Sequence, residues 1–193
     1  MIPALYARRA VRSFLPAQPD EALLHRLLDA AVHAPTAMHA EPWGFAIVQD
    51  PARLKRYSDR AKAMLQKEPV AVGWGSLAPA HADEHRALLG NPDFNIFYDA
   101  GTLVVVCRTT DRPFADADCW LAAENFMLAA VAEGLGTCCI GFAVQVLNTP
   151  QAKRELGIPE EGAAVAPIIV GVPREPLPAR SARKAPRILG WLR

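Results

Sequence analysis

Residues Ala122–Ala143 read AAENFMLAAVAEGLGTCCIGFA, and the change of character midway decides how the rest of the chain is organised. Up to Glu133 the stretch is built from good helix formers with apolar side chains. From Gly134 onward it turns to glycine and small residues. Extended upstream, the pattern predicts one long helix from Asp116 to Glu133. Trp120, Leu121, Ala123, Phe126, Met127, Leu128, Ala130 and Val131 spread over most of its circumference. A helix apolar nearly all round belongs at the centre of a domain or at a subunit interface. Gly134 and Gly136 are expected to supply its left-handed C-terminal stop, followed by a tight loop.

On either side of this helix the chain alternates between helical and strand periodicity. Asp20 caps a predicted helix to His33, with Leu23, Leu24, Leu27, Leu28, Ala31 and Val32 on one face, and Ala34-Pro35 ends it. Trp43–Val48 reads as a short strand. Asp50-Pro51 opens a further helix with Leu54, Tyr57, Ala61, Met64 and Leu65 as its buried stripe. The β-branched run Thr102–Cys107 predicts a strand covered on both faces, and Ala164–Val170 a second. Asn148-Thr149-Pro150 starts a short helix that ends at Gly157. Between Pro69 and Asn95 the periodicity is lost, so residues 69–95 read as an excursion or lid with one short helix around His81–Leu89. No repeat or linker divides the chain, and residues 1–193 read as a single α+β domain.

Composition narrows the function classes. The chain has 193 residues, 51% of them hydrophobic and 21% charged, with a formal net charge of +1. That balance gives no long-range field favouring nucleic acid or an anionic membrane. There is no apolar run of membrane-spanning length, and the basic start MIPALYARRAVRSF lacks the apolar core of a secretory signal. Cys107, Cys119, Cys138 and Cys139 show no CxxC pair and no disulfide framework. Reduced thiols and a cytoplasmic location are the expectation.

Four clusters carry side chains suited to chemistry. Arg8-Arg9-Ala10-Val11-Arg12-Ser13 sets three guanidinium forks within five positions, a pattern that suits a phosphate and equally a solvated first helix. Pro35-Thr36-Ala37-Met38-His39-Ala40-Glu41 joins helix to strand with small and polar residues; such a loop suits a planar heterocycle, or simply makes the connection. Gly134–Gly141 allows close backbone approach to a flat ligand, while cap and loop geometry alone explain Gly134 and Gly136. Its two cysteines read as buried packing residues. Finally, His81-Ala82-Asp83-Glu84-His85 fits the H-x-x-E-H arrangement of zinc enzymes, but no third ligand follows it, and the expectation is no metal. The chain contains no GxGxxG, P-loop or GxSxG segment.

Taken in order, ARRAVRSF (7–14), APTAMHAEPWGFAIVQD (34–50), AAENFMLAAVAEGLGTCCIGFA (122–143), APIIVGVP (166–173) and ARKAPRILGW (182–191) resemble the nitroreductase family of flavoproteins. The resemblance implies a mixed, mainly antiparallel sheet flanked by helices, in a homodimer with two FMN sites at the subunit interface. It implies that Arg8, Arg9 and Arg12 reach from the FMN phosphate to the pyrimidine side of its ring, with Ala10 standing where the family usually has serine. Pro35, Thr36, Ala37 and His39 would come from the partner subunit. His39 stands where asparagine is usual, and Glu41 where glutamine is. Cys139, Ile140 and Gly141 would lie along the ring near its N5. Arg183 and Lys184 in the tail would join the phosphate.

The resemblance also implies a ping-pong oxidoreductase. A hydride from NADH or NADPH would enter at N5 and electrons would leave to a nitroaromatic, quinone or similar small oxidant. The flavin carries that chemistry, so no catalytic side chain is required, and Arg12 is expected to tune the ring electrostatically. Two other readings are a non-catalytic flavin-binding module and a zinc hydrolase using His81, Glu84 and His85. Substrate choice is expected to lie with residues 69–95.

Overall fold

The computed structural model describes residues 2–67, 84, 87–176 and 182–193. Four strands, β1 (Trp43–Val48), β2 (Thr102–Arg108), β3 (Gly136–Cys139) and β4 (Ala163–Gly171), form an antiparallel sheet in the order β1-β2-β4-β3. Helices cover both faces, so the fold is α+β. A parallel bridge between Ala10 and Thr137 adds one point of mixed pairing beside β3.

The two central strands are buried on both faces, as their β-branched composition requires. Along β2, Leu103, Val105 and Cys107 enter one core, while Val104 and Val106 enter the other. On β4 the alternation slips at Val165. The register moves from Val106↔Ala166 to Cys107↔Ala164, so Val165 is the extra residue of a bulge. Val165 and Ala166 consequently share one face, while Ala164 turns to the other.

Helices α1 (Pro3–Ala7), α2 (Glu21–Val32), α3 (Pro51–Lys67), α4 (Ala115–Ala132), α5 (Val144–Leu147) and α6 (Pro150–Leu156) follow in chain order, and residues 87–90 are also helical. The predicted caps are present. The Asp20 carboxylate accepts from Leu23 N at 2.7 Å, the Asp50 carboxylate from Ala52 N at 2.9 Å, and Gly157 stops α6 in the left-handed region at φ 70°. Leu24, Leu27 and Ala31 of α2 are buried against α4, whereas Val32, expected on the same face, is exposed.

Three expectations are corrected. Arg8–Phe14 is extended rather than helical: Val11 and Phe14 are buried while Ala10, Arg12 and Ser13 face outward. Val11 N donates to Thr137 O at 3.0 Å, so the segment runs along β3. Gly136–Cys139 is likewise a strand and not a loop. Of the two expected stop glycines, only Gly134 is left-handed, at φ 76°. Gly136 has a packing reason instead, because a Cβ there would lie 2.7 Å from Val11 Cβ. From the 69–95 excursion, residues 69–83, 85 and 86 lie outside the described residues.

Two predictions follow from this packing. Gly136→Ala forces the Val11 segment off β3 and should cost about 1–3 kcal/mol in urea unfolding, the range for overpacking. The buried thiols of Cys107 and Cys119 and the half-buried thiol of Cys139 predict alkaline sensitivity. Burial pushes Cys107, Cys119 and Cys139 from 9.0 up to about 12. An unfolded thiol releases its proton near 9.0, whereas these folded ones keep theirs to about 12, so their contribution is fully present below pH 9 and lost as pH rises toward 12. The urea midpoint should fall across this window, and a Cys107→Ala/Cys119→Ala variant should show a shallower fall.

Candidate functional site

Helix α4 is the common support for three of the four sequence clusters. Near its start the buried Asp118 carboxylate accepts from Ala37 N at 3.2 and 3.3 Å, which pins the connection between α2 and β1. Six positions on, Glu124 lies 3.9 Å from Arg8 Nε; both groups are partly solvated, so the pair positions more than it stabilises. Three positions further, Met127 Sδ meets Cys139 Sγ at 3.9 Å. Asp118 and Met127 are nine positions apart, about two and a half helical turns, and so lie on opposite faces of α4. The Ala37 loop and the Cys139 strand are thus held on opposite sides of one helix.

The Ala37 loop is conformationally strained. Met38, His39 and Glu41 all sit in the left-handed region, at φ 56°, 52° and 44°. Non-glycine residues persist there only when their surroundings over-determine them. The surroundings here are the Asp118 carboxylate, the Thr36 hydroxyl accepting from Glu41 N at 3.4 Å, and Ala40 N donating to Ala37 O at 3.1 Å. Pro35 and His39 are exposed, Thr36 and Ala37 half-buried, and Met38 is 95% exposed.

Opposite them, the extended Arg8–Arg12 segment lies against β3, so two sequence-distant clusters become one surface. Their roles divide. Arg9 folds back, its Nη1 donating to Tyr6 O at 2.8 Å and Arg8 O at 2.7 Å, which closes the end of α1. Arg12 points outward, with its guanidinium carbon 5.8 Å from the centre of the Tyr98 ring. Ala10, beside it, is exposed. Beyond β3 the backbone turns into a short 3-10 helix, Gly141–Ala143. Ile140 is buried and its N–H is committed to Pro167 O at 2.8 Å. Gly141 opens on free space: a Cβ there would meet nothing within 4 Å.

The remaining candidates stand apart. Arg183 and Lys184 are exposed in the extended tail, and among the described residues no hydrogen bond or ion pair joins them to the Arg8–Arg12 segment. His81 and His85 lie outside the described residues; within those described, no group of three His, Cys, Asp or Glu side chains is placed to hold a metal ion. No helix among the described residues is long and apolar enough to cross a membrane.

Two participants went unread in the sequence. Asp118 carried a signal, a carboxylate near the start of an otherwise apolar helix. Tyr98 carried none, because only the fold brings residue 98 beside residue 12.

The comparisons with known proteins fit this arrangement. A nitroreductase with bound FMN from Bacteroides fragilis is 27% identical and superposes with a TM-score of 0.80, over 96% of this chain and 95% of that chain. A 5,6-dimethylbenzimidazole synthase from Rhodospirillum rubrum is 31% identical over 196 residues, 95% of this chain and 85% of the relative. An NADH dehydrogenase from Thermus thermophilus is 26% identical over 181 residues, 89% of this chain and 86% of the relative. Residues 5–172 match the family model of the nitroreductase family, and the chain belongs to that family.

Proposed function

We propose that the chain is an FMN-dependent oxidoreductase, working as a cytoplasmic homodimer. It takes electrons from NADH or NADPH and passes them, in a ping-pong sequence, to a small oxidant such as a nitroaromatic or quinone. The observation that carries this reading is the basic segment Arg8–Arg12 laid along β3, ending at the open backbone of Gly141. FMN, when bound, supplies the electron-transfer chemistry, and the FMN-bound relative from Bacteroides fragilis supports its identity. The name of the Thermus relative supports a nicotinamide donor.

The residues present fit such a group. Among the described residues the buried Thr137 hydroxyl and Arg9 Nε have no hydrogen-bond partner, an orphaned polar pair along this segment. Arg8 would hold the phosphate with a guanidinium that Glu124 only partly neutralises. Arg9 would contribute less, since its Nη1 already serves two carbonyls. With the Ile140 N–H engaged by Pro167, Cys139 and Gly141 are the backbone a flat ring can approach closely. Arg12 would place a positive charge at the ring edge, where it stabilises added electron density. Arg183 and Lys184, exposed in the tail, would add further positive charge for the phosphate.

The division across α4 supports the dimer. Pro35, Thr36, Ala37 and His39 face away from the arginine–β3 surface, so one chain holds half of a site on each side of the helix. Exposed Met38, Phe114 (70%) and Leu121 (46%) leave an apolar surface around the start of α4 for a second copy to cover.

Titration with FMN should give a yellow complex that NADH or NADPH bleaches without air and an oxidant restores. A chain that takes up no FMN overturns the assignment, and one that binds it but accepts no hydride is the non-catalytic flavin module. Arg8→Ala should weaken FMN binding roughly tenfold or more, the usual scale for a lost charge-assisted hydrogen bond; unchanged affinity removes Arg8 from the site. Sedimentation of the FMN-loaded protein should give twice the 20.9 kDa chain mass, and a stable loaded monomer contradicts the shared site.

A further inference from the structure

We propose that Tyr98 is a positioning residue for Arg12, holding the guanidinium in place beside β3 where it faces the flavin site; this rests on the FMN reading above. Arg12 is exposed on the outward side of an extended segment, and a solvated arginine ordinarily samples many rotamers. Here its guanidinium carbon lies 5.8 Å from the Tyr98 ring centre, within the range of a cation–π contact. Burial pushes the Tyr98 phenol and the Cys138 thiol up, and the nearby Arg12 charge opposes both shifts.

Tyr98 is itself held on a rigid platform. Lys62, a buried cation of α3, donates to Asn91 O at 3.2 Å, Pro92 O at 3.2 Å and Phe94 O at 2.7 Å. The buried Ser58 hydroxyl accepts from Ile96 N at 3.0 Å, and the Asn95 side chain bonds Phe97 N at 3.0 Å and the Asp99 carboxylate at 2.8 Å. Phe94 meets the Tyr98 ring edge to face at 5.5 Å. Tyr98 and Asp99 are both left-handed, at φ 52° and 53°, a conformation an aromatic residue keeps only when its surroundings impose it. The platform thus presents a fixed ring to a mobile cation, and a charge fixed before the ligand arrives acts more strongly than one ordered on binding.

The test is a double-mutant cycle on the full-length chain, reading the FMN dissociation constant and the midpoint potential of the bound flavin. Tyr98→Leu should weaken FMN binding roughly two- to fivefold, the scale of an exposed cation–π contact, and lower the potential. Tyr98→Phe keeps the ring face and should restore most of both. In an Arg12→Ala background, Tyr98→Leu should add nothing. An undiminished effect there, or unchanged values in Tyr98→Leu alone, overturns the proposal. If Tyr98→Leu does not fold, tyrosine ring NMR of the FMN-free chain reads the same contact. Arg12→Ala should then raise the pH at which Tyr98 ionises while leaving Tyr57 in place, and an unmoved Tyr98 overturns the contact. Because that arm needs no flavin, failure of the FMN assignment and failure of the Tyr98 contact give different results.

Discussion

A helix without a polar face has to be covered on most sides, and one of the two cores of this fold, on one face of the sheet, is the covering of α4. Ala115, Cys119, Ala122, Ala123, Phe126, Met127 and Ala130 are buried along it. The sheet takes one side through β2 and β4, and α2 takes another through Leu24, Leu27 and Ala31. At roughly 25 cal/mol per Å² of apolar surface removed from water, burying such a helix is a major reason for these layers to assemble. The same constraint explains why the few polar residues of α4 matter. Several of them meet whatever passes alongside: Asp116 the Arg108 guanidinium at 3.0 Å, Asp118 the Ala37 backbone, Glu124 Arg8, and Asn125 the carbonyl of Ala30 at 3.3 Å.

The elements legible in the sequence were those whose own composition required burial. The strand Trp43–Val48 lies where the pattern puts it, β2 extends one residue beyond its prediction, and α4 is displaced by one residue at each end. Asp20, Asp50 and Gly157 act through local geometry, and local geometry is written in consecutive residues. Less legible were features set by a neighbour distant in sequence. Arg8–Phe14 has the charge pattern of a solvated helix end, yet it is extended because Val11 fits the space left by Gly136. Nothing within residues 8–14 contains that partner. The Val165 bulge is similar, since its cause is the register between two strands rather than either strand alone.

The candidate site repeats that distinction. Its arginines and its glycine were visible as residue types suited to a phosphate and a flat ring, and the family resemblance supplied the order in which to read them. The division of labour among the arginines was not visible. Three guanidinium groups in five positions look equivalent in a string of letters, whereas in the fold one closes the end of α1, one pairs loosely with a carboxylate and one lies on an aromatic ring. Lys62 makes the same point. Its place in the α3 sequence suggests a solvated lysine, but three carbonyl groups from residues 91–94 hold it in the interior.

Backbone strain marks where this architecture is most constrained. Of the six non-glycine residues with positive φ among those described, three lie in the Asp118-held connection and two at Tyr98–Asp99. Neither segment is strained by its own sequence, for neither offers glycine where the conformation asks for one. Each is held by a buried charged side chain acting on main-chain groups: an anion on the Ala37 N–H in one case, a cation on three carbonyls in the other. A buried charge is costly unless satisfied, and here backbone dipoles do the satisfying. Fixing those dipoles fixes the loops that carry them. One segment borders the arginine surface and the other carries the exposed Met38 and His39, and each keeps its shape through support from the core rather than through its own sequence.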